Sequence, residues 1–296
     1  MITVMGATGA TGGALLRRLS ALGIPCRAVT RTPDSLRAAL GPARPPVEIA
    51  GADAADPRSL RAAFSGTTQL FLTMANGPRQ TEYESTVVDA AAASGVRHVV
   101  KLSAPAAEPD SPVAVSRGHW HIENRLAATG MVSTVLRPYA FFQKLLLSAP
   151  AIAEGVLIGS LGGAPCNYID VRDIADAAAA ILLRPALAGG RHILTGPRAW
   201  TQPELARLLS GLTGHPVRVI DLPPAAFHEH LVRTVGLPGW LAGHVVEIQQ
   251  LAAARPESPN GTVEALLGRP ARALDAFVRE NLPSFQSRAP LPPLSM

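Results

Sequence analysis

The sequence predicts an α/β protein, a doubly wound parallel sheet joined to a smaller, mostly helical C-terminal domain. Three observations carry that prediction. Short runs rich in Val, Ile and Leu alternate with helix-period segments through roughly the first 200 residues, the rhythm of successive βαβ units. A glycine-rich loop links the first run to the first helix. Six such runs recur before the rhythm loosens, enough for an open sheet covered on both faces.

The strands fall at Ile2 to Met5, Pro25 to Thr30, Val47 to Ala50, Gln69 to Thr73, Arg97 to Leu102 and Met131 to Arg137. Helices fill the gaps at Thr11 to Leu22, Pro57 to Phe64, Arg79 to Ala93 and Val115 to Ala128. Their ends carry the expected signals: Asp56 stands as an N-cap before Pro57, and Gly23, Gly95 and Gly130 follow helix ends. Past Arg137 the regular alternation stops, and Pro, Gly and isolated aromatics between Pro138 and Tyr168 suggest a lid outside the sheet. A helix at Asp173 to Leu183 and a strand at Arg191 to Leu194 return to the main body. From Trp200 onward the chain reads as helical, with one strand-like run at Val217 to Asp221 and a Pro-rich tail from Pro290. The expected division is a nucleotide-binding domain over residues 1–138, rejoined by 170–195, with residues 139–169 and 196–296 forming the lid and C-terminal domain.

The 296 residues are 47% hydrophobic and 17% charged, which excludes a disordered or fibrous chain. Lys and Arg number 27 against 22 Asp and Glu, a net charge of +5 without any run of like charges. No nucleic-acid partner is expected from so dispersed a charge. No apolar stretch approaches the ~18 residues of a membrane helix, and the chain opens as Met1-Ile2-Thr3-Val4 without a leader pattern. Cys26 and Cys166 are too few for a disulfide framework or a metal cluster. The expectation is a soluble cytoplasmic protein, monomeric or homodimeric, without a metal.

Gly6-Ala7-Thr8-Gly9-Ala10-Thr11-Gly12 sets glycines three apart between a buried strand and a helix. Glycine permits positive φ in the tight turn, clears the approach of a pyrophosphate, and lets strand and helix pack closely. The free N–H groups of the helix start then face the phosphates. This is the loop of a Rossmann dinucleotide site, and Gly6, Thr8, Gly9, Ala10, Thr11 and Gly12 are its candidate contacts. Where an acidic residue would select NAD by its ribose hydroxyls, the end of strand two carries Thr30-Arg31-Thr32. Arg31 can pair with a 2′-phosphate, favouring NADP(H), or be an ordinary surface arginine. Asp53, followed by Ala54, can accept from adenine or form a turn. Met74 and Ala75, after strand four, can pack beside the ribose or end a core strand.

These residues resemble the atypical short-chain dehydrogenase/reductases of the NmrA-like and type-2 quinone oxidoreductase-like group. The similarity extends through His119-Trp120-His121-Ile122-Glu123, Leu136-Arg137-Pro138, Tyr168-Ile169-Asp170-Val171-Arg172-Asp173, Thr213-Gly214-His215-Pro216 and Gly268-Arg269-Pro270. It implies an NADP(H)-binding Rossmann domain, a small C-terminal domain and a substrate cleft between them. The group holds reductases, ketoreductases of aromatic polyketides, including angucyclinone-type ones, in antibiotic biosynthesis, and regulators that bind the cofactor without turnover. In the wider superfamily Ser, Tyr and Lys reduce a carbonyl, with Tyr and Lys four apart on one helix. Here that spacing holds His119 and Glu123. Ser103 can keep the serine role or merely end its strand. His119 can donate a proton or pack as a hydrogen-bonded core residue. Glu123 can cap backbone groups or pair with an arginine.

Without the usual acid, the expected chemistry is NADPH-dependent reduction of a bulky aromatic polyketide ketone. A phenol beside the carbonyl would supply the stabilising hydrogen bond. The alternatives are an NADPH:quinone oxidoreductase and a non-catalytic NADP(H)-binding regulator. Tyr139, Phe141, Phe142 and Tyr168 are the expected substrate wall, since aromatic rings stack on flat polycycles. Leu146 shares a helical face with Phe142, and Trp200, Phe227, Trp240 and His244 are further candidates to close the cleft or simply to pack.

Overall fold

The computed structural model describes residues 1–40 and 47–287; the expected Pro-rich tail and the end of the C-terminal domain lie outside them. The first half alternates β1 (Ile2–Met5), α1 (Ala10–Ala21), β2 (Cys26–Thr30), α2 (Pro33–Leu40), β3 (Val47–Gly51), α3 (Pro57–Ala63), β4 (Gln69–Leu72), α4 (Gln80–Ala93), β5 (His98–Leu102), α5 (Ala114–Ala127) and β6 (Val132–Pro138). Then come β7 (Ala140–Phe141), a 3-10 turn at Phe142–Ser148, α6 (Ala149–Ala153), β8 (Val156–Gly159), β9 (Cys166–Ile169), α7 (Val171–Leu183) and β10 (Arg191–Leu194). The chain continues through β11 (Ala199–Trp200), α8 (Gln202–Thr213), β12 (Arg218–Asp221), α9 (Pro224–Arg233), α10 (Gly239–Ala254), α11 (Thr262–Leu267), α12 (Leu274–Glu280) and α13 (Leu282–Gln286). The helix α2 escapes the sequence pattern because only Leu36 on it is buried, too little to mark a period.

Seven strands form one parallel sheet in the order β10-β6-β5-β4-β1-β2-β3. The order reverses between β1 and β4, the Rossmann arrangement, so ligands belong at the carboxyl ends of those two strands. One face packs Leu15, Leu16 and Leu19 of α1 against Ile174, Ala178 and Ile181 of α7. The other packs Leu60 of α3, Val87 and Val88 of α4, and Ile122 and Leu126 of α5. Each such Leu, Ile or Val, fully buried, contributes about 1.5–3 kcal/mol against exposure. Both faces covered is why these strands read as continuous apolar runs.

The second body is built mainly from the chain beyond β6. β7, β9 and β11 form a small sheet, β8 pairs with β12 in parallel, and Phe142, Leu157, Leu205, Leu209, Phe277 and Phe285 form a separate core beneath α8, α12 and α13. Thr201 and Glu204 make a reciprocal capping box at the start of α8, and Gly214 ends it with φ +82°. α9 and α10 close around Phe227, Leu231 and Ala242. The two bodies are fastened by charge: Asp173 on α7, wholly buried, meets Arg269 at 2.8 Å and also Arg272, while Asp176 meets the same arginines at 2.5 and 3.0 Å. Cys26 in β2 and Cys166 in β9 are both buried, in different bodies, and both are free thiols.

Candidate active site

At the carboxyl end of β1 the glycines are used for space. Gly6 has φ +78°, and a Cβ there would lie 2.1 Å from the Thr73 carbonyl oxygen at the end of β4. A Cβ on Gly12 would lie 2.2 Å from the Gly6 carbonyl oxygen, inside any tolerable contact. The Gly9 amide donates to that same oxygen at 3.0 Å, closing the turn. Gly9 caps α1 without a side-chain bond and no acidic residue occupies the first turn, so the helix start is open to an anion. Thr8 and Ala10 are exposed there, and Thr11 is buried beneath them. At the adenosine end Arg31 is exposed and has no hydrogen-bond or ion-pair partner among the described residues. Asp53 accepts from the Ala55 amide at 2.9 Å, the turn alternative. The Ala54 side chain is buried in the core, Met74 packs half-buried on that core, and Ala75 is exposed. The loop, the open helix start and a free arginine after β2 suit a dinucleotide carrying a 2′-phosphate.

Ser103 and His119 both sit inside hydrogen-bond networks of the protein. The Ser103 hydroxyl donates to Glu123 Oε1 at 2.6 Å, which commits its only proton. Glu123, nearly fully buried, is held by Arg137 at 2.6 Å and Arg191 at 3.1 Å, so its role is the arginine pairing. His119 faces Lys101 Nζ at 3.1 Å through Nδ1 and Gln80 Nε2 at 3.4 Å through Nε2. Lys101 and Glu84, both wholly buried, pair at 2.6 Å, and Gln80 donates to Glu84 at 2.9 Å. Burial first, then the Lys101 charge, then His244 and Arg137, push His119 well below the ordinary histidine range. With Nδ1 accepting from the Lys101 ammonium, the neutral ring keeps its one proton on Nε2, toward the Gln80 amide, an arrangement that suits the packing alternative for His119.

Of the four aromatic candidates, Phe142 is buried and the other three are part-buried. The Phe142 ring is 1% exposed and lies 5.6 Å from the ring of Phe277, centroid to centroid, inside the core of the second body. β7 pairs with β9 through Ala140–Tyr168 and Phe141–Ile169, which seats Phe141 half-buried on the main core. Tyr168 packs between two apolar clusters and bonds toward Cys166; burial holds its phenol well above the ordinary range. Tyr139 donates to the Arg255 carbonyl at 3.2 Å, and burial pushes it up to about 12. These rings fill the joint between sheets. α10 carries exposed and part-exposed apolar residues at Trp240, Leu241, Val245 and Val246, the two valines packed on the core around Phe227. α10 reaches the main body twice: His244 Nε2 meets Asn76 Nδ2 at 3.2 Å beyond β4, and Glu247 accepts the Ala114 amide at 2.9 Å. Phe227 is core and Trp200 lies under Arg198, 4.2 Å from the ring centroid to the guanidinium.

Comparison with known proteins decides the family, because residues 1–274 match the NmrA-like family model. The chain belongs to the NmrA-like family. It is 33% identical over 289 residues to an NAD(P)H azoreductase of Xenophilus azovorans, covering 96% of this chain and 99% of that protein. It is 34% identical to the (4-alkanoyl-5-oxo-2,5-dihydrofuran-3-yl)methyl phosphate reductase of Streptomyces griseus, with the same coverage. Among solved structures, the NADPH-dependent quinone oxidoreductase QOR2 of Escherichia coli, complexed with NADPH, superposes with a TM-score of 0.84 at 29% identity, over 95% of this chain and 99% of that one.

Within this NmrA-like protein, Gln80, Glu84 and Lys101 form with His119 a buried polar cluster that pattern reading missed. Lys101 left a signal, as the lone charge in the strand His98-Val99-Val100-Lys101-Leu102. Glu84 left none, since a glutamate on a helix reads as solvated until β5 is known to lie beneath it. Among the described residues no group of three His, Cys, Asp or Glu is placed to hold a metal ion, and no helix is long and apolar enough to cross a membrane.

Proposed function

We propose that the chain transfers hydride from NADPH to flat, bulky aromatic acceptors whose reduction needs no proton donor on the protein: quinones, whose reduced oxygens take protons from water, and aromatic polyketide ketones flanked by a phenol. The chain is an NAD(P)H-dependent oxidoreductase of the azoreductase and quinone oxidoreductase kind, and its cofactor is NADP(H). Bound at the glycine loop, that cofactor supplies the hydride. The protein's own residues do the rest: Gly6, Gly9 and Gly12 clear and orient the pyrophosphate, Arg31 takes the 2′-phosphate, and α10 offers an apolar surface to the acceptor.

The observation that carries this reading is the absence of a poised acid at Ser103 and His119. The Ser103 hydroxyl donates its hydrogen bond to Glu123, and His119 is neutral between Lys101 and Gln80. A simple ketone needs a proton at the developing alkoxide. A quinone forms phenolate oxygens that take protons from water, and a ketone beside a phenol brings its own hydrogen bond.

The test monitors NADPH absorbance with simple quinones, an azo dye, polycyclic ketones with an adjacent hydroxyl, and matched ketones lacking it. Consumption with the quinones and the hydroxylated ketones, and none with the matched ketones, is expected. Equal turnover of ketones with and without the hydroxyl would overturn the proposal, since it would require a protein acid.

A further inference from the structure

The helix α10 has two working faces. Ala242, Val245 and Val246 turn toward the second body and pack on the core around Phe227. On the opposite side, positions 240, 244 and 247 fall within about 60° of one another, because successive residues of an α-helix are ~100° apart. Two members of that stripe are fixed against the nucleotide-binding body. His244 Nε2 meets Asn76 Nδ2 at 3.2 Å, in the loop after β4. Val113, at the N-cap of α5, makes no side-chain cap, and Glu247 supplies one from the second body by accepting the Ala114 amide at 2.9 Å. The stripe therefore looks onto the carboxyl end of the sheet, where the loop after β4 borders the crevice between β4 and β1.

Trp240 is the third member, one turn beyond His244 on the side away from Glu247. Helical side chains lean toward the N-terminus, so the indole extends this face past Asn76 instead of folding back on His244. It is 40% exposed, and among the described residues it stacks on no other ring and its N–H has no partner. The core between α9 and α10 is already filled by Phe227, Leu231 and Ala242. A large ring that neither packs nor hydrogen-bonds, on the face of α10 turned to the cleft, keeps its π surface free for a ligand.

We propose that Trp240 is a specificity-determining residue, one wall of the acceptor site on which flat, fused-ring acceptors stack. The role rests on the hydride transfer to flat acceptors inferred above and names the side chain that selects for ring area. Quinone rings are electron-poor and indole is electron-rich, so their faces attract, and the overlap grows with each fused ring. No proton is asked of the indole. His244 and Glu247 act on the acceptor only by fixing the face that carries it.

The test follows NADPH consumption with benzoquinone and naphthoquinone in the unaltered protein, Trp240→Ala and Trp240→Phe. Trp240→Ala is expected to raise KM for naphthoquinone roughly tenfold and for benzoquinone far less, with kcat moved less than KM, the pattern of lost uniform binding. Trp240→Phe keeps an aromatic face and should recover most of the naphthoquinone KM. An unchanged naphthoquinone KM in Trp240→Ala, or an equal rise for both quinones, would overturn the role. So would a parallel loss of NADP⁺ affinity or of melting temperature, which would assign Trp240 to the cofactor or to folding. Calorimetry of naphthoquinone on the NADP⁺-loaded protein separates this role from the reductase activity. Binding that depends on Trp240 without any NADPH consumption sinks the reductase substrate class alone. Consumption of naphthoquinone at the same kcat/KM with and without the indole sinks the Trp240 role alone, and no binding of naphthoquinone sinks both.

Discussion

At position 119 an imidazole lies with Lys101 on one ring nitrogen and Gln80 on the other, with almost no exposure. Replacing His119 with Phe is expected to leave most of the quinone turnover. A kcat loss above ~10²-fold, the scale of a missing general acid, would restore the acid role. The same burial gives a pH signature of known sign. The folded ring resists protonation, whereas the unfolded ring takes a proton below its ordinary value of about 6.5. Stability is therefore intact above that pH and falls as pH drops through it, because the unfolded state then binds more protons. His98 and His244, also lowered mainly by burial, add slope of the same sign. Thermal melts across pH 5 to 8 should show the decline in the unaltered protein and a shallower one in His119→Phe. At the cofactor's far end, Arg31→Ala should weaken NADPH binding roughly tenfold, as one charge-assisted contact near solvent does. NADH binding should barely change, and fluorescence titration of both nucleotides checks it.

Elements fix what residues alone leave open. The loop between β1 and α1 depends on Gly12 lacking a Cβ, so Gly12→Ala should abolish measurable NADPH binding by pushing α1 away from the turn, read by titration alongside a melt. This loop was legible in the sequence because everything it needs is consecutive: a strand, three spaced glycines and a helix start. Lys101, Glu84 and His119 were not legible as a unit. They come from β5, α4 and α5, and their meeting depends on which helices cover which face of the sheet. Phe142 and Leu146 show the same limit from another side. Spacing places them on one face, but only the packing of α12 and Phe277 shows which way that face points. The strand β10, an edge strand with only Leu194 buried, was recovered because Gly189-Gly190 sets it off as a turn does, whereas α2, with one buried leucine, had no face to announce it.

Across the whole molecule, one of the joins between the two bodies is the grip of Asp173 and Asp176 of α7 on Arg269 and Arg272. Asp173→Asn removes the buried member of the carboxylate pair while Asp176 keeps both arginines, themselves about a third exposed, so the cost falls below the about 3–5 kcal/mol of breaking a fully buried pair. A lowered melting temperature is expected, together with earlier proteolysis of the segment from Gly268 onward. A melt and a limited digest check both, and an unchanged digest would show that α12 and α13 are held by their apolar packing and the Arg172–Glu280 pair instead. The two cysteines bear on the kind of acceptor such a molecule can handle. Quinones are Michael acceptors that arylate thiolates. Burial pushes Cys26 up to about 11 and Cys166 up to about 12, so neither presents an appreciable thiolate at neutral pH. Both thiols are thereby sealed in separate hydrophobic interiors, out of reach of the electrophilic acceptors proposed above.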